Sequence, residues 1–135
     1  MGNSIIKNMG FHHVALKCKD MEKSLAMYSA LGLTEVARWG EGAGEIVMMD
    51  MGNGAIIEFF ANGSDEFSEK GKWEHFAVSV DNVAEAYQVA LDAGFTSVSA
   101  PNAFTLPAKP APMPIEGAFV KGPDGEVLEF FKKLG

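Results

Sequence analysis

The sequence predicts an α+β protein built from two tandem βαβββ modules whose strands form a concave mixed sheet. Three observations carry this. A segment opening His13-Val14-Ala15-Leu16 is matched by one opening His75-Phe76-Ala77-Val78. Gly32 follows the first histidine at the same distance as Gly94 follows the second. Gly54-Ala55-Ile56-Ile57-Glu58-Phe59-Phe60 closes the first half much as Gly125-Glu126-Val127-Leu128-Glu129-Phe130-Phe131 closes the second, with glutamate four residues after glycine and Phe-Phe behind it. Matches at several equal offsets are the mark of an internal repeat. The 135 residues form a single domain, with one module over about residues 10–62 and the other over about 73–133.

Each module opens with a strand, at Gly10–Cys18 and Trp73–Val80. A helix follows, at Met21–Leu31 and Val83–Ala93. Asp20 can cap the first helix, and Asn82 with Glu85 three residues on reads as a capping box for the second. Leu25 and Tyr28 share a helix face, as do Val83, Ala86 and Ala90. Gly32 and Gly94 sit where a helix end favours a left-handed residue. Three strands complete each module: Thr34–Arg38, Glu45–Met51 and Ala55–Phe60, then Ser97–Ser99, Ile115–Val120 and Glu126–Phe131. Gly52-Asn53-Gly54 and Gly122-Pro123-Asp124-Gly125 are turn sequences joining the last two strands of each module. Ala61–Lys72 reads as the linker between modules. Ala100–Pro114, proline-rich and without periodicity, reads as a loop.

Composition narrows the function. Hydrophobic residues make up 47% and charged residues 21%, which fits a packed globular core. A net charge of −7 disfavours a nucleic-acid partner, since phosphate binding wants a basic face. No apolar run has the length of a membrane span. The opening MGNSIIKNMG is short and polar for a secretory signal, and Ile6 stands where a myristoylation signal has a hydroxyl. The single cysteine, Cys18, leaves no internal disulfide and fits a reducing cytoplasm.

Side chains alternate faces along a strand. His13, Ala15 and Lys17 therefore share one face, opposite the apolar Val14, Leu16 and Cys18. His75, Ala77 and Ser79 likewise oppose Phe76, Val78 and Val80. Glu58 and Glu129 face away from Ile57 and Phe59, and from Leu128 and Phe130. All four point away from the helix-packing face at equivalent places in the repeat. Two histidines and two carboxylates converging on a concave sheet can bind a divalent metal through nitrogen and oxygen. His12 falls on the face opposite His13 and reads as structural. Trp39 and Trp73 fit either the cavity rim or packing in the core or an interface, and Met48-Met49 reads as core filler.

These residues resemble the vicinal oxygen chelate superfamily, the glyoxalase/bleomycin resistance/dioxygenase fold. The first module's likeness lies in His13-Val14-Ala15-Leu16-Lys17, Lys19-Asp20-Met21-Glu22-Lys23-Ser24 and Tyr28. The second module's lies in Glu74-His75-Phe76-Ala77-Val78 and Gly122-Pro123-Asp124-Gly125. Within the superfamily, a complete His13, Glu58, His75, Glu129 set resembles glyoxalase I (lactoylglutathione lyase). The resemblance implies those four as metal ligands, Glu129 and Glu58 as catalytic carboxylates, and isomerisation of a 2-oxoaldehyde hemithioacetal through a metal-stabilised enediolate. It implies nickel or cobalt, with zinc as the other option, and glutathione or another thiol as co-substrate. Asn62 matches an asparagine that contacts glutathione. Lys17 stands where the family usually has an arginine, keeping the charge without the bidentate fork. Lys109 is the only basic residue of a segment that is basic and glycine-rich in glyoxalase I. The family's habits also imply a homodimer with shared active sites. Other superfamily activities compatible with the resemblance are an acyl-CoA epimerase, which typically has glutamine where Glu58 stands, a thiol transferase, an extradiol dioxygenase, and a non-catalytic small-molecule binding or resistance protein.

Overall fold

The computed structural model describes residues 2–30, 32–64, 73–122 and 127–135. The chain divides into two compact units. One comprises His13–Glu74 and Pro107–Pro112; the other comprises Met1–His12, His75–Leu106 and Met113–Gly135.

The elements are β1 (Gly10–Lys17), α1 (Met21–Ser29), β2 (Thr34–Trp39), a short 3-10 turn (Gly42–Gly44), β3 (Ile46–Asp50), β4 (Ile56–Phe60), β5 (Trp73–Ser79), α2 (Val83–Asp92), β6 (Thr96–Leu106), β7 (Met113–Lys121) and β8 (Val127–Lys133). This is βαβββ twice, as the repeat predicts. The first module has strand order β2-β3-β4-β1, with β1 and β4 parallel and the other neighbours antiparallel. The second has order β5-β8-β7-β6, with β5 and β8 parallel and the rest antiparallel. Each parallel pair needs a crossover, which the helix and the two strands after it provide.

The helices are set by the same devices. The Asp20 side chain accepts from the Lys23 amide at 3.1 Å, and the Asn82 side chain from the Glu85 amide at 3.0 Å. Both helices end on a glycine in the left-handed region, Gly32 at φ +99° and Gly94 at φ +104°. The next amides then reach back to the last turn, Leu33 to the Tyr28 carbonyl and Phe95 to the Ala90 carbonyl. In the first module α1 buries Met21 and Leu25 against Val47, Met49, Ile57 and Phe59. The Tyr28 ring meets Phe59 edge-on at 5.1 Å. In the second, α2 packs Val83, Ala86 and Ala90 on Val80, Ala118, Val120 and Phe130.

The structure corrects one sequence expectation. Ala100–Pro114 is not a loop throughout: β6 runs on to Leu106 and β7 begins at Met113. Val98, Ala100, Phe104 and Leu106 do alternate, but Pro101 and Asn102 interrupt the run and most of the strand is exposed, so the segment imitates a loop. Pro101 is tolerated because it lies in a register shift between Ser99 and Asn102 on an edge strand, where its missing N–H removes no ladder bond. The remaining short connection returns to the first module, where Arg38 and Lys109 exchange backbone hydrogen bonds of 2.9 and 2.6 Å. The N-terminal arm belongs to the other unit. There Asn8 donates to the Asp81 carboxylate at 2.8 Å and Ile6 packs on the α2 cluster. Leu31, most of the linker, the Pro123-Asp124-Gly125 turn and Glu126 lie outside the described residues.

Candidate functional site

Register places each predicted carboxylate. In the first module β1 and β4 run parallel with Ala15 opposite Glu58; in the second, β5 and β8 run parallel with Ala77 opposite Glu129. Each alanine lies two residues after the histidine of its strand, so histidine and glutamate share a face as diagonal neighbours. The side chains meet. His13 Nε2 lies 3.4 Å from Glu58 Oε1, and His75 Nε2 lies 3.2 Å from Glu129 Oε1. Both contacts use the same imidazole nitrogen.

These groups are taken out of water. His13 is 1% exposed, Glu58 5% and Glu129 6%, and they are the only polar or charged residues among the described ones to be buried so far. Burying a carboxylate is costly unless it is partnered. Among the described residues no buried side-chain nitrogen or oxygen lacks a partner.

The neighbours follow from the same register. Glu58 pairs across β3 with Met48, which pairs on with Ala37 of β2. Glu129 pairs across β7 with Phe119, which pairs on with Ser99 of β6. The Phe119 ring stands edge-on to His75 at 5.5 Å and 87°. Met48 and Phe119 were not singled out in the sequence as site residues, although aligning the two repeats would have found both. Met48 and Met49 are both buried, but only Met49 belongs to the α1 core; Met48 lies beside Glu58.

One row further, Trp39, Ile46, Phe60 and Lys17 are cross-strand partners in the first module. Asn102, Gly117, Phe131 and Ser79 are their counterparts in the second. Gly117 is buried in mid-strand without a positive φ, so its conformation does not call for glycine. A Cβ there would stand 3.4 Å from Glu129 Oε2, which makes it a place of close side-chain approach. His12 stacks on Phe131, with centroids 4.1 Å apart.

The predicted substrate-binding residues lie in the first module. Lys17 makes an ion pair of 3.2 Å with Glu74. Asn62 is exposed in the turn after β4. Trp39 is half-buried in β2, and Trp73 is half-exposed at the start of β5. Cys18 faces the helix side, where burial raises its thiol pKa while a hydrogen bond to Ser24 opposes the rise. A buried thiol of raised pKa is a poor nucleophile, so Cys18 is packing rather than chemistry. No helix among the described residues is long and apolar enough to cross a membrane.

Comparison with known structures agrees with this architecture. A hypothetical protein from Bacillus halodurans C-125 superposes with a TM-score of 0.70 at 18% identity, over 96% of this chain and 97% of that one. Methylmalonyl-CoA epimerase from Mycobacterium tuberculosis gives 0.70 at 16% identity, over 100% of this chain and 93% of that one. A Mn(II)-bound glyoxalase from Novosphingobium aromaticivorans gives 0.65 at 21% identity, over 91% of this chain but 38% of that one. At such identities the likeness is one of fold. No curated protein sequence matches the chain. The sequence profile that matches, over residues 10–130, establishes that the chain belongs to the Glyoxalase/Bleomycin resistance protein/Dioxygenase superfamily.

Proposed function

We propose that this protein is a metal-dependent isomerase of the glyoxalase I kind, acting in the cytoplasm on the hemithioacetal of a 2-oxoaldehyde. The observation that carries it is the buried His–Glu pair found at the same register position in both modules. In this reading His13 with Glu58, and His75 with Glu129, supply the four donors to one metal ion. Two imidazole nitrogens and two carboxylate oxygens suit nickel, cobalt or zinc. The residues fit such an ion, because each histidine already turns Nε2 and each glutamate turns Oε1 toward its partner. When bound, the ion would supply positive charge to offset the negative charge of the enediolate.

The chain's own groups do the rest. Glu129 takes the proton from one carbon and returns it to the next, so the isomerisation needs no co-reactant. Glu58 serves the opposite face. Phe119 keeps water from the His75 ring. Lys17, released from Glu74, would hold an anionic thiol carrier such as glutathione, with Asn62 beside it.

The test is metal analysis of protein purified without chelator, followed by a methylglyoxal and glutathione assay after loading with nickel, cobalt or zinc. Stoichiometric metal with turnover supports the proposal; stoichiometric metal without turnover on any of the three ends the glyoxalase reading. A second reading, an acyl-CoA epimerase, is favoured by the likeness to methylmalonyl-CoA epimerase over nearly the full length of both chains. It also needs proton abstraction next to a carbonyl. Hydrogen exchange into an acyl-CoA in deuterated water detects it.

A further inference from the structure

Strand β7 lacks a side chain at one place on the face that holds Glu129. Gly117 is buried in mid-strand, where a glycine weakens the strand, and no positive φ calls for one. What the glycine leaves is space. Around the position of a Cβ there, Glu129 Oε2 at 3.4 Å and the Phe130 carbonyl oxygen at 3.7 Å are the heavy atoms within 4 Å among the described residues. The repeat gives a measure of that space. Cross-strand register puts Ile46 at the equivalent position beside Glu58, a branched side chain where the second module has none. The surroundings are apolar. Ile115 and Phe119 lie on the same face two residues to either side, and Phe131 is the cross-strand partner of Gly117. Phe131 packs with Ile115 and Ala77, and His12 stacks on it at 4.1 Å, so its ring is held rather than free to swing into the gap. Toward the sheet edge the row ends on exposed Asn102.

We propose that the gap over Gly117 receives the side group of the substrate, and that it selects 2-oxoaldehydes whose side group is apolar and larger than methyl, such as phenyl. The inference rests on the reading above, in which Glu129 moves a proton between the carbons beside that group. Glu129 Oε2 borders the gap, so a group seated there lies next to the carboxylate that does the chemistry. A phenyl group can cover the flanking Phe119 and Phe131 rings and gain dispersion contacts that a methyl group leaves unmade. Gly117 is then a specificity-determining position: its missing side chain is the substrate's room.

Titration calorimetry on nickel-loaded protein tests this without turnover. The probes are acetohydroxamate and benzohydroxamate, which share their chelating oxygens and differ in methyl against phenyl. Wild type is expected to bind benzohydroxamate about 10–200-fold more tightly. Gly117→Ala, whose methyl would meet Glu129 Oε2 at an ordinary contact distance of 3.4 Å, is expected to remove about tenfold of that preference by weakening benzohydroxamate alone. Gly117→Val is expected to remove the rest. The glutathione adducts of phenylglyoxal and methylglyoxal are expected to follow the same order in kcat/KM. Circular dichroism checks the folding of each variant, and the smaller Gly117→Ala change carries the test if Gly117→Val unfolds. Equal binding of the two probes by wild type overturns the inference and leaves the proposed reaction standing. So does a folded Gly117→Ala protein that keeps the full preference or weakens both probes alike. Binding of neither probe to the nickel-loaded protein removes the metal-dependent reading and this inference with it.

Discussion

Around Glu58 the cross-strand row reads Ala37, Met48, Glu58, Ala15; around Glu129 it reads Ser99, Phe119, Glu129, Ala77. The glutamate and its alanine partner are the same, and the histidine lies two residues before the alanine in both. Beyond that the modules diverge. Where the first has Trp39, Ile46 and Lys17, the second has Asn102, Gly117 and Ser79. The helices differ in the same sense, with Met21 and Leu25 buried under α1 and Ala86 and Ala90 under α2. Parallel strand register fixes the direction of a histidine and a carboxylate whatever surrounds them, so two modules can share a donor pair while differing in volume beside it.

The largest expected effect tests whether both pairs serve one ion. His13→Ala and His75→Ala should each abolish stoichiometric nickel binding, measured by calorimetry on chelator-treated protein. Wild-type affinity in one variant would assign the ion to the other module alone.

The second test separates the carboxylates. Glu129→Gln should lower turnover of the methylglyoxal–glutathione adduct by about 10²–10⁴-fold while metal is retained, because an amide keeps a donor oxygen but takes no proton. Glu58→Gln should cost less. Equal losses would mean that both carboxylates carry the proton.

The third test concerns the cores. Leu25→Ala should destabilise the protein by about 2–5 kcal/mol in urea unfolding, since it empties the space beneath α1. Ala86→Leu should cost about 1–3 kcal/mol for the opposite reason, since Ala86 is fully buried in the α2 cluster and added methylenes would overpack it. A neutral Ala86→Leu would show slack in the second module that its fully buried Ala86 does not imply.

The smallest effects lie at the helix starts. Asp20→Ala and Asn82→Ala should each cost about 1 kcal/mol, and nearly equally, because each removes one side-chain acceptor from one amide. A twofold difference would show that the two caps sit in unlike surroundings despite matching geometry.

The parts of this architecture legible in the sequence are those repeated in it. His13, Glu58, His75 and Glu129 could be placed on strand faces because their offsets recur and because Val14, Leu16 and Phe59 mark the opposite face. Asp20, Asn82, Gly32 and Gly94 were legible as caps because their chemistry is local. The second half of β6 is not, since Pro101 and Asn102 break its alternation and the prolines that follow imitate a loop. The pairing of Arg38 with Lys109 could not be read either, because a backbone ladder does not depend on which side chains it carries. Met48 shows a subtler limit: its burial was foreseen, but composition does not say which side of the sheet it fills.

The exchange of short segments bears on how the chain is made. The unit holding His13–Glu74 also includes Pro107–Pro112, and the unit holding Met113–Gly135 also includes Met1–His12. Neither is a contiguous stretch of sequence. A ribosome that has released the first module has not yet synthesised the strap that Arg38 will bind, while the N-terminal arm must wait for Asp81 to appear. Fragments cut at the module boundary would each lack a segment of their own unit, and should be poor substitutes for the intact protein unless supplied together.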